Sequence, residues 1–148
     1  RPDRGGTQGD KMSVVKSKRS KPKLGVLTKA RELAVYTLRI CSNEKNFPKR
    51  LRWCMINDIV KDARDIHRYI RKANSIYVAF RSDFDTRRQF QNQAIASIDA
   101  MLGDMDIAYA LFNVDDDRIE YWTGLVIEVQ NLLREWRKSD QERYKSLK

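Results

Sequence analysis

The sequence has one histidine, two cysteines and three prolines among 148 residues. A single histidine excludes a His-rich metal site and any mechanism that needs two imidazoles. Both cysteines fall at apolar positions of predicted helices, so we expect two buried thiols in a reducing compartment. No stretch approaches the ~18 uninterrupted apolar residues of a membrane span, and no apolar segment near the N-terminus resembles a secretory signal. The sequence therefore predicts a cytoplasmic protein that does not span a membrane.

The residue patterns that support catalysis are also scarce. His67 lies in a helix rich in Lys and Arg, where an exposed or hydrogen-bonded position is the simpler interpretation. The Asp115–Asp117 triplet lacks the central Gly and final Glu of an EF-hand, and helix capping explains it. There is no phosphate-binding Gly-rich loop, nucleophile elbow or Glu-x-x-His motif. We therefore expect no catalytic residue, no cofactor and no metal ion, and a protein that is not an enzyme.

What the sequence does contain is positive charge, unevenly placed. The formal net charge is +10. Residues 1–25 contain eight Lys or Arg against two Asp, and residues 45–72 contain nine against three Asp. Concentrated positive charge favours nucleic acid or an anionic surface, because neutralising phosphates releases condensed counterions. The alternative is that these side chains serve only solubility.

Apolar residues recur at three- and four-residue steps in four segments, which predicts four amphipathic helices. The predicted helices span about Val26–Asn43, Pro48–Phe80, Thr86–Phe112 and Asp116–Ser139. No segment shows the two-residue alternation of a strand. We therefore predict an all-α fold, an antiparallel up-down-up-down four-helix bundle. The bundle is assigned to residues 25–140, a disordered basic arm to residues 1–24 and a charged tail to residues 141–148.

Two features within the predicted helices need an explanation. Gly103 lies inside the third helix, where glycine costs about 1 kcal/mol relative to alanine, so we expect it to permit close packing or a bend. Trp122 and Trp136 fall on the apolar stripe of the fourth helix. Both indoles are predicted to pack in the core.

The second predicted helix has an apolar face and a basic face. The apolar face contains Met55, Ile59, Ala63, Ile66, Ile70, Ala73 and Tyr77. Cations one helical turn apart can meet successive phosphates without reading sequence. The predicted nucleic-acid contacts are Arg50, Lys61, Arg64, Arg68 and Lys72, extended by Arg87 and Arg88 at the start of the third helix. Aspartates along one flank are expected to neutralise part of this row through pairs such as Asp65–Arg68.

Several segments together resemble a known superfamily. They are Leu27–Leu33 with Tyr36-Thr37, Phe47–Arg50, Ala73-Asn74 and Leu132–Ser139. They resemble the four-helix-bundle superfamily that contains the ribosomal-RNA intervening-sequence protein and the accessory variability determinant of diversity-generating retroelements, and the latter more closely. The resemblance covers about Leu24–Asp140 and rests on helical patterns rather than on a catalytic fingerprint.

The resemblance implies a ring-like homopentamer of bundles. It also implies a non-catalytic accessory subunit that binds the element's reverse transcriptase, its template RNA and the cDNA. Such a subunit supports the mutagenic, adenine-directed cDNA synthesis that diversifies a target gene. Two alternatives remain open: a structural protein of the intervening-sequence type with no nucleic-acid role, and an enzyme that uses the bundle as a scaffold.

Overall fold

The structure of the chain, a computed structural model, describes residues 21–148, with the side chains of all of these except residues 21–24 and 51. Four α-helices are present: α1 (Lys21–Ser42), α2 (Ile56–Ser75), α3 (Arg81–Leu111) and α4 (Asp116–Arg143). Within residues 21–148 there is no β-strand, so the prediction of an all-α fold with four helices is confirmed. Of the predicted basic arm, residues 1–20 lie outside the described residues, and residues 21–24 belong to α1.

The helices pack side by side in chain order, and α4 also packs against α1. The beginning of α3 lies beside the end of α4, where Arg87 contacts Asp140. Near the start of α4, the Trp122 indole N–H donates to the Thr37 hydroxyl near the end of α1, at 2.9 Å. Trp122 and Trp136 are both buried in the core, as expected. None of the helices within residues 21–148 combines the length and apolarity needed to cross a bilayer.

The predicted Pro48–Phe80 helix is interrupted near its beginning. Met55 has φ −162° and ψ −24°, which is outside the helical region, and the residues before it form a separate 3-10 helix, Lys49–Cys54. This short helix places Cys54 at the surface, so the expectation of two buried thiols is wrong for Cys54. Cys41 is buried, and its burial raises the pKa of its thiol to about 12.

The same predicted helix also ends early. α2 stops at Ser75, and Ile76 is extended, with φ −87° and ψ 120°. Asn74, Ser75 and the β-branched Ile76 have low helix propensity, which explains the end of the helix at this position. Tyr77, which was predicted on the apolar face, is consequently 86% exposed.

Aspartate side chains set where α3 and α4 begin. The Asp83 carboxylate accepts hydrogen bonds from the backbone N–H groups of Phe80 and Ala79, at 2.9 and 3.0 Å. These bonds lower the pKa of Asp83 and start α3 at Arg81, before the predicted Thr86. α4 begins at Asp116 as predicted, since Asp115 accepts from the Arg118 N–H. Carboxylates at these positions satisfy helix N–H groups that have no partner within the helix.

The predicted charged tail contacts the start of α3. α4 continues to Arg143 rather than ending at Ser139. Beyond it, the Tyr144 ring packs against Phe84, with 5.8 Å between the ring centroids. The Arg81 N–H donates to the backbone oxygen of Lys148 at 3.1 Å. Residues 141–148 therefore extend α4 and pack onto the bundle.

Candidate nucleic-acid interface

α1 and α2 leave an open groove of about 520 Å³ between them. Its floor is apolar and is formed by side chains of α1, namely Ala34, Val35 and Leu38. Its edges are cationic: Arg31 comes from α1, and Arg64, Arg68, Arg71 and Lys72 come from α2. None of the described residues that line the groove is acidic. The α1–α2 groove thus combines an apolar base with five positive charges.

The cations of the α1–α2 groove lack acidic partners among the described residues. Arg31, Arg64, Arg68 and Arg71 form no ion pair with any residue of the described part of the chain. Lys72 contacts aromatic rings instead, with its Nζ 5.5 Å from the centroid of Tyr69. Clustered charges of one sign in a concave site raise the local potential and attract ions of the opposite sign.

Two aspartates of α2 lie in different surroundings. Asp62 faces α3, where burial, and then the nearby Asp104, raise the pKa of its carboxyl. On the exposed face of α2, Lys61 Nζ lies 2.6 Å from Asp65 Oδ2, and both line a depression with Arg64 and Arg68. The expected Asp65–Arg68 pair does not form, because Asp65 contacts Lys61 instead. Asp62 therefore lies toward α3, Asp65 lies beside Lys61, and Arg64, Arg68 and Arg71 line the groove toward α1.

His67 lies in the groove among these cations. It is half-buried. Burial, and then the positive charges of Arg71 and Arg31, lower the pKa of its imidazole below the usual 6.5. The neutral imidazole is therefore favoured near pH 7, and an anion bound in the groove would favour the protonated form.

The groove contains three of the seven predicted contact residues, Arg64, Arg68 and Lys72. Lys61 does not line the groove; it is paired with Asp65 and shares a smaller depression on the exposed face of α2 with Arg64 and Arg68. Arg50 is exposed on the 3-10 helix and does not line the groove. Lys61, Arg64, Arg68 and Lys72 thus follow one another along α2, whereas Arg50 lies apart on the 3-10 helix.

Arg87 does not belong to this surface. Only 4% of its side chain is exposed, and its Nη1 lies 3.2 Å from both carboxylate oxygens of Asp140. A guanidinium that is buried and paired in this way cannot reach a phosphate, so Arg87 is removed from the predicted set. Arg88 is half-buried and donates to the backbone oxygen of Arg137 at 2.8 Å, on the opposite side of the bundle from the groove.

Sequence reasoning missed Arg31, His67 and Arg71 as groove residues. For α2, the sequence contains a pattern that indicates a shared face. Residues 64, 67, 68, 71 and 72 recur at the three- and four-residue steps of one side of a helix. Arg31 carries no such signal, because its place in the groove depends on how α1 packs against α2.

The groove offers charge and shape rather than reactive groups. Among residues 21–148, no three His, Cys, Asp or Glu side chains converge in a way that could hold a metal ion. Guanidinium and ammonium groups over an apolar floor can bind an anionic chain that also carries apolar surface. No protein-family model, curated protein or solved structure matches this chain.

Proposed function

We propose that this protein is a non-catalytic accessory subunit of a diversity-generating retroelement that binds template RNA and cDNA and acts with the reverse transcriptase in the cytoplasm. The observation that carries the nucleic-acid part is the α1–α2 groove, with five cations that form no ion pair within the described residues. The retroelement and the reverse transcriptase are proposed from the superfamily resemblance over about Leu24–Asp140.

The spacing of the groove cations suits a phosphate backbone. Arg64, Arg68 and Lys72 follow one another at four-residue steps, about 6 Å apart along the axis of α2. The bases or sugars of a single strand could pack against the apolar side chains of the groove, Ala34, Val35 and Leu38. The described lining residues include no Asn or Gln, the side chains that pair with adenine, and the evenly spaced cations of α2 are proposed to contact phosphates. Binding is therefore proposed to be independent of sequence and strongly dependent on salt.

We also propose an up-down-up-down arrangement of the helices and a homo-oligomer, pentameric by resemblance. Support for association comes from the outer face of α3. Small and apolar side chains are exposed there at helical spacing: Ala96, Ala100, Gly103, Ile107 and Leu111. Exposed apolar stripes of this kind commonly mark contact surfaces. A change of Ile107→Arg is then expected to lower the molecular mass measured by light scattering.

The test of nucleic-acid binding is a fluorescence anisotropy titration with labelled single-stranded RNA. Arg64→Glu with Arg68→Glu reverses two groove charges that form no ion pair with described residues. We expect this variant to bind roughly tenfold more weakly or worse, and the slope of log affinity against log salt to fall by about 1.4. Lys45→Glu with Lys49→Glu is the control, because it makes the same charge change at exposed positions outside the groove.

Circular dichroism and light scattering establish that each variant keeps its helicity and oligomeric state. Equal RNA affinity of the groove variant and the wild type at low salt would overturn the proposal. That result would favour a structural protein of the intervening-sequence type, with a basic surface that has no nucleic-acid role.

A further inference from the structure

A second basic cluster lies between α3 and α4, in a depression of about 300 Å³. Its cations are Arg88 from α3 and Arg134, Arg137 and Lys138 from α4. Glu142 is the one acidic residue among its described lining residues, and its carboxylate lies 3.8 Å from Lys145. We call these four cations the α3–α4 cluster.

The positive charges of the α3–α4 cluster lie close together and lack ion-pair partners among the described residues. None of the four forms an ion pair with a described residue. Burial, and then the charge of Arg137, lower the pKa of Arg88. The buried carboxylate of Asp140 partly offsets this effect on Arg88, but its hydrogen bonds are made with Arg87 and Gln91. An anion bound here would relieve the remaining repulsion between Arg88 and Arg137.

Hydrogen bonds hold two of these guanidinium groups in position. Arg88 donates through Nε to Gln91 at 3.3 Å and through Nη2 to the backbone oxygen of Arg137 at 2.8 Å. Arg137 donates through Nη1 to Asn92 at 2.8 Å. Arg134 and Lys138 lie one turn apart on α4 and are exposed. The cluster is therefore partly preorganised, which reduces the entropy lost when it binds an anion.

The cluster lies across the bundle from the α1–α2 groove. The helices pack in the order α1, α2, α3, α4, and α4 closes against α1, so the two seams are on opposite sides. Helices of ordinary diameter and spacing separate two such surfaces by roughly 20 Å. The body of the bundle stands between them, so one short strand cannot follow both surfaces along a direct path.

We propose that each subunit holds two nucleic-acid segments at once, one in the α1–α2 groove and one on the α3–α4 cluster. The proposal rests on the nucleic-acid binding proposed for the groove. Holding two segments on one small protein raises their effective concentration with respect to each other. The expected activity is bridging of separate strands, as is needed when a template RNA and a primer or cDNA strand must meet.

The test is a bridging assay with two non-complementary single-stranded RNAs. One carries biotin and is fixed to beads, and the other is fluorescent and is retained only when the protein binds both. Arg134→Glu with Lys138→Glu changes the α3–α4 cluster at two exposed residues, neither of which donates to another described side chain. Lys45→Glu with Lys49→Glu again matches the charge change.

We expect the wild type and the control to retain the fluorescent RNA, and the α3–α4 variant to retain roughly tenfold less at equal protein bound to the beads. The α3–α4 variant should still bind a single RNA in anisotropy measurements, because its groove is intact. Equal retention by this variant and the wild type would overturn the inference, since copies of the groove in an oligomer would then explain bridging.

Failure of the two proposals is distinguishable. A wild type that binds RNA but retains no second strand refutes the bridging inference and leaves the proposed function standing. A wild type that binds no RNA at low salt refutes both. Light scattering on each variant checks that the oligomeric state is unchanged.

Discussion

Arg87 and Asp140 form a buried ion pair that joins the beginning of α3 to the end of α4. Both side chains are 4% exposed. Arg87 also donates through Nη2 to the backbone oxygen of Ile76 at 2.8 Å, just beyond the end of α2. Gln91 donates to the same Asp140 carboxylate at 3.0 Å. One guanidinium therefore links three segments at one end of the bundle.

Removal of one partner of this ion pair is expected to lower the stability of the fold strongly. Asp140→Ala leaves the Arg87 charge buried without a counter-ion, which should lower the free energy of unfolding by about 3–5 kcal/mol. Urea denaturation followed by circular dichroism measures the change. Glu142→Ala serves as the control, because that carboxylate is exposed.

The double change Arg87→Met with Asp140→Leu separates charge from shape. It removes both charges and fills similar space, so it should recover most of the stability lost in Asp140→Ala. A double variant as unstable as Asp140→Ala would show that losing the Arg87 hydrogen bond to Ile76 costs as much as is gained by removing the unpaired charge.

The burial of Asp62, and then the nearby charge of Asp104, make stability dependent on pH. The pKa of Asp62 is higher in the folded state than in the unfolded chain, so its ionised form costs stability at neutral pH and the cost disappears as pH falls. Asp62→Asn is expected to stabilise the protein at pH 7 by at most about 1 kcal/mol, since the site is partly exposed. Near about pH 3, where the wild-type carboxyl is protonated, the gain should vanish.

Thermal unfolding across this pH range measures the effect of Asp62→Asn. Asp106→Asn removes the same charge at an exposed position of α3 and controls for the general loss of a negative charge. A stabilisation by Asp62→Asn that persists unchanged at acidic pH would contradict the electrostatic explanation.

Gly103 is exposed in the middle of α3, and a Cβ added there would meet no atom within 4 Å. The expectation that this glycine permits close packing within the subunit is therefore wrong. Gly103→Ala should stabilise the isolated subunit by about 0.5–1 kcal/mol, because alanine has the higher helix propensity. Gly124→Ala in α4 is the matched comparison, since an added Cβ meets nothing there either.

Denaturation of both glycine variants at low protein concentration tests this effect. If Gly103→Ala lowers stability while Gly124→Ala raises it, the face of α3 is covered by another chain. That outcome would support association through the exposed stripe of α3.

His67 provides a single-site reporter of the groove, because the chain contains one histidine. Its pKa is lowered in the folded protein, so its contribution to stability declines as pH falls. Bound phosphates should raise this pKa, and RNA affinity should therefore increase as pH falls from about 7.5 to about 6. NMR titration of the imidazole with and without RNA measures the shift.

The variant His67→Gln should remove this increase in affinity while leaving binding near pH 7.5 little changed. An imidazole pKa that is unaffected by saturating RNA would show that RNA does not occupy the groove, even if the protein binds RNA elsewhere.

Periodicity predicted the four helices because each helix buries a regular apolar stripe. It did not predict the break at Met55, since apolar spacing continues through that residue and only the backbone changes. Arg87 was assigned to the surface by its charge alone. Its spacing from Phe84, Gln91 and Ala94 nevertheless places Arg87 on the buried stripe of α3. There it forms an ion pair with Asp140, which is buried on α4.

The candidate site was predictable only where a single helix defines it. Arg64, Arg68 and Lys72 share one face of α2, so their alignment follows from helical geometry. Arg31 joins them through the packing of α1 on α2, which depends on the whole core. The aspartates of α2 are visible in the sequence. Asp104, which lies near Asp62 in the structure, belongs to α3 and is far away along the chain.

The separation of charge across α2 gives each subunit a preferred orientation toward a polyanion. An approaching strand is attracted to the side of α2 that carries the groove arginines. It is repelled from the side where Asp62 lies near Asp104. The electrostatic field therefore favours one orientation of the strand relative to the subunit before close contacts form. Such steering weakens as salt is added, so orientation and capture should both decline at high ionic strength.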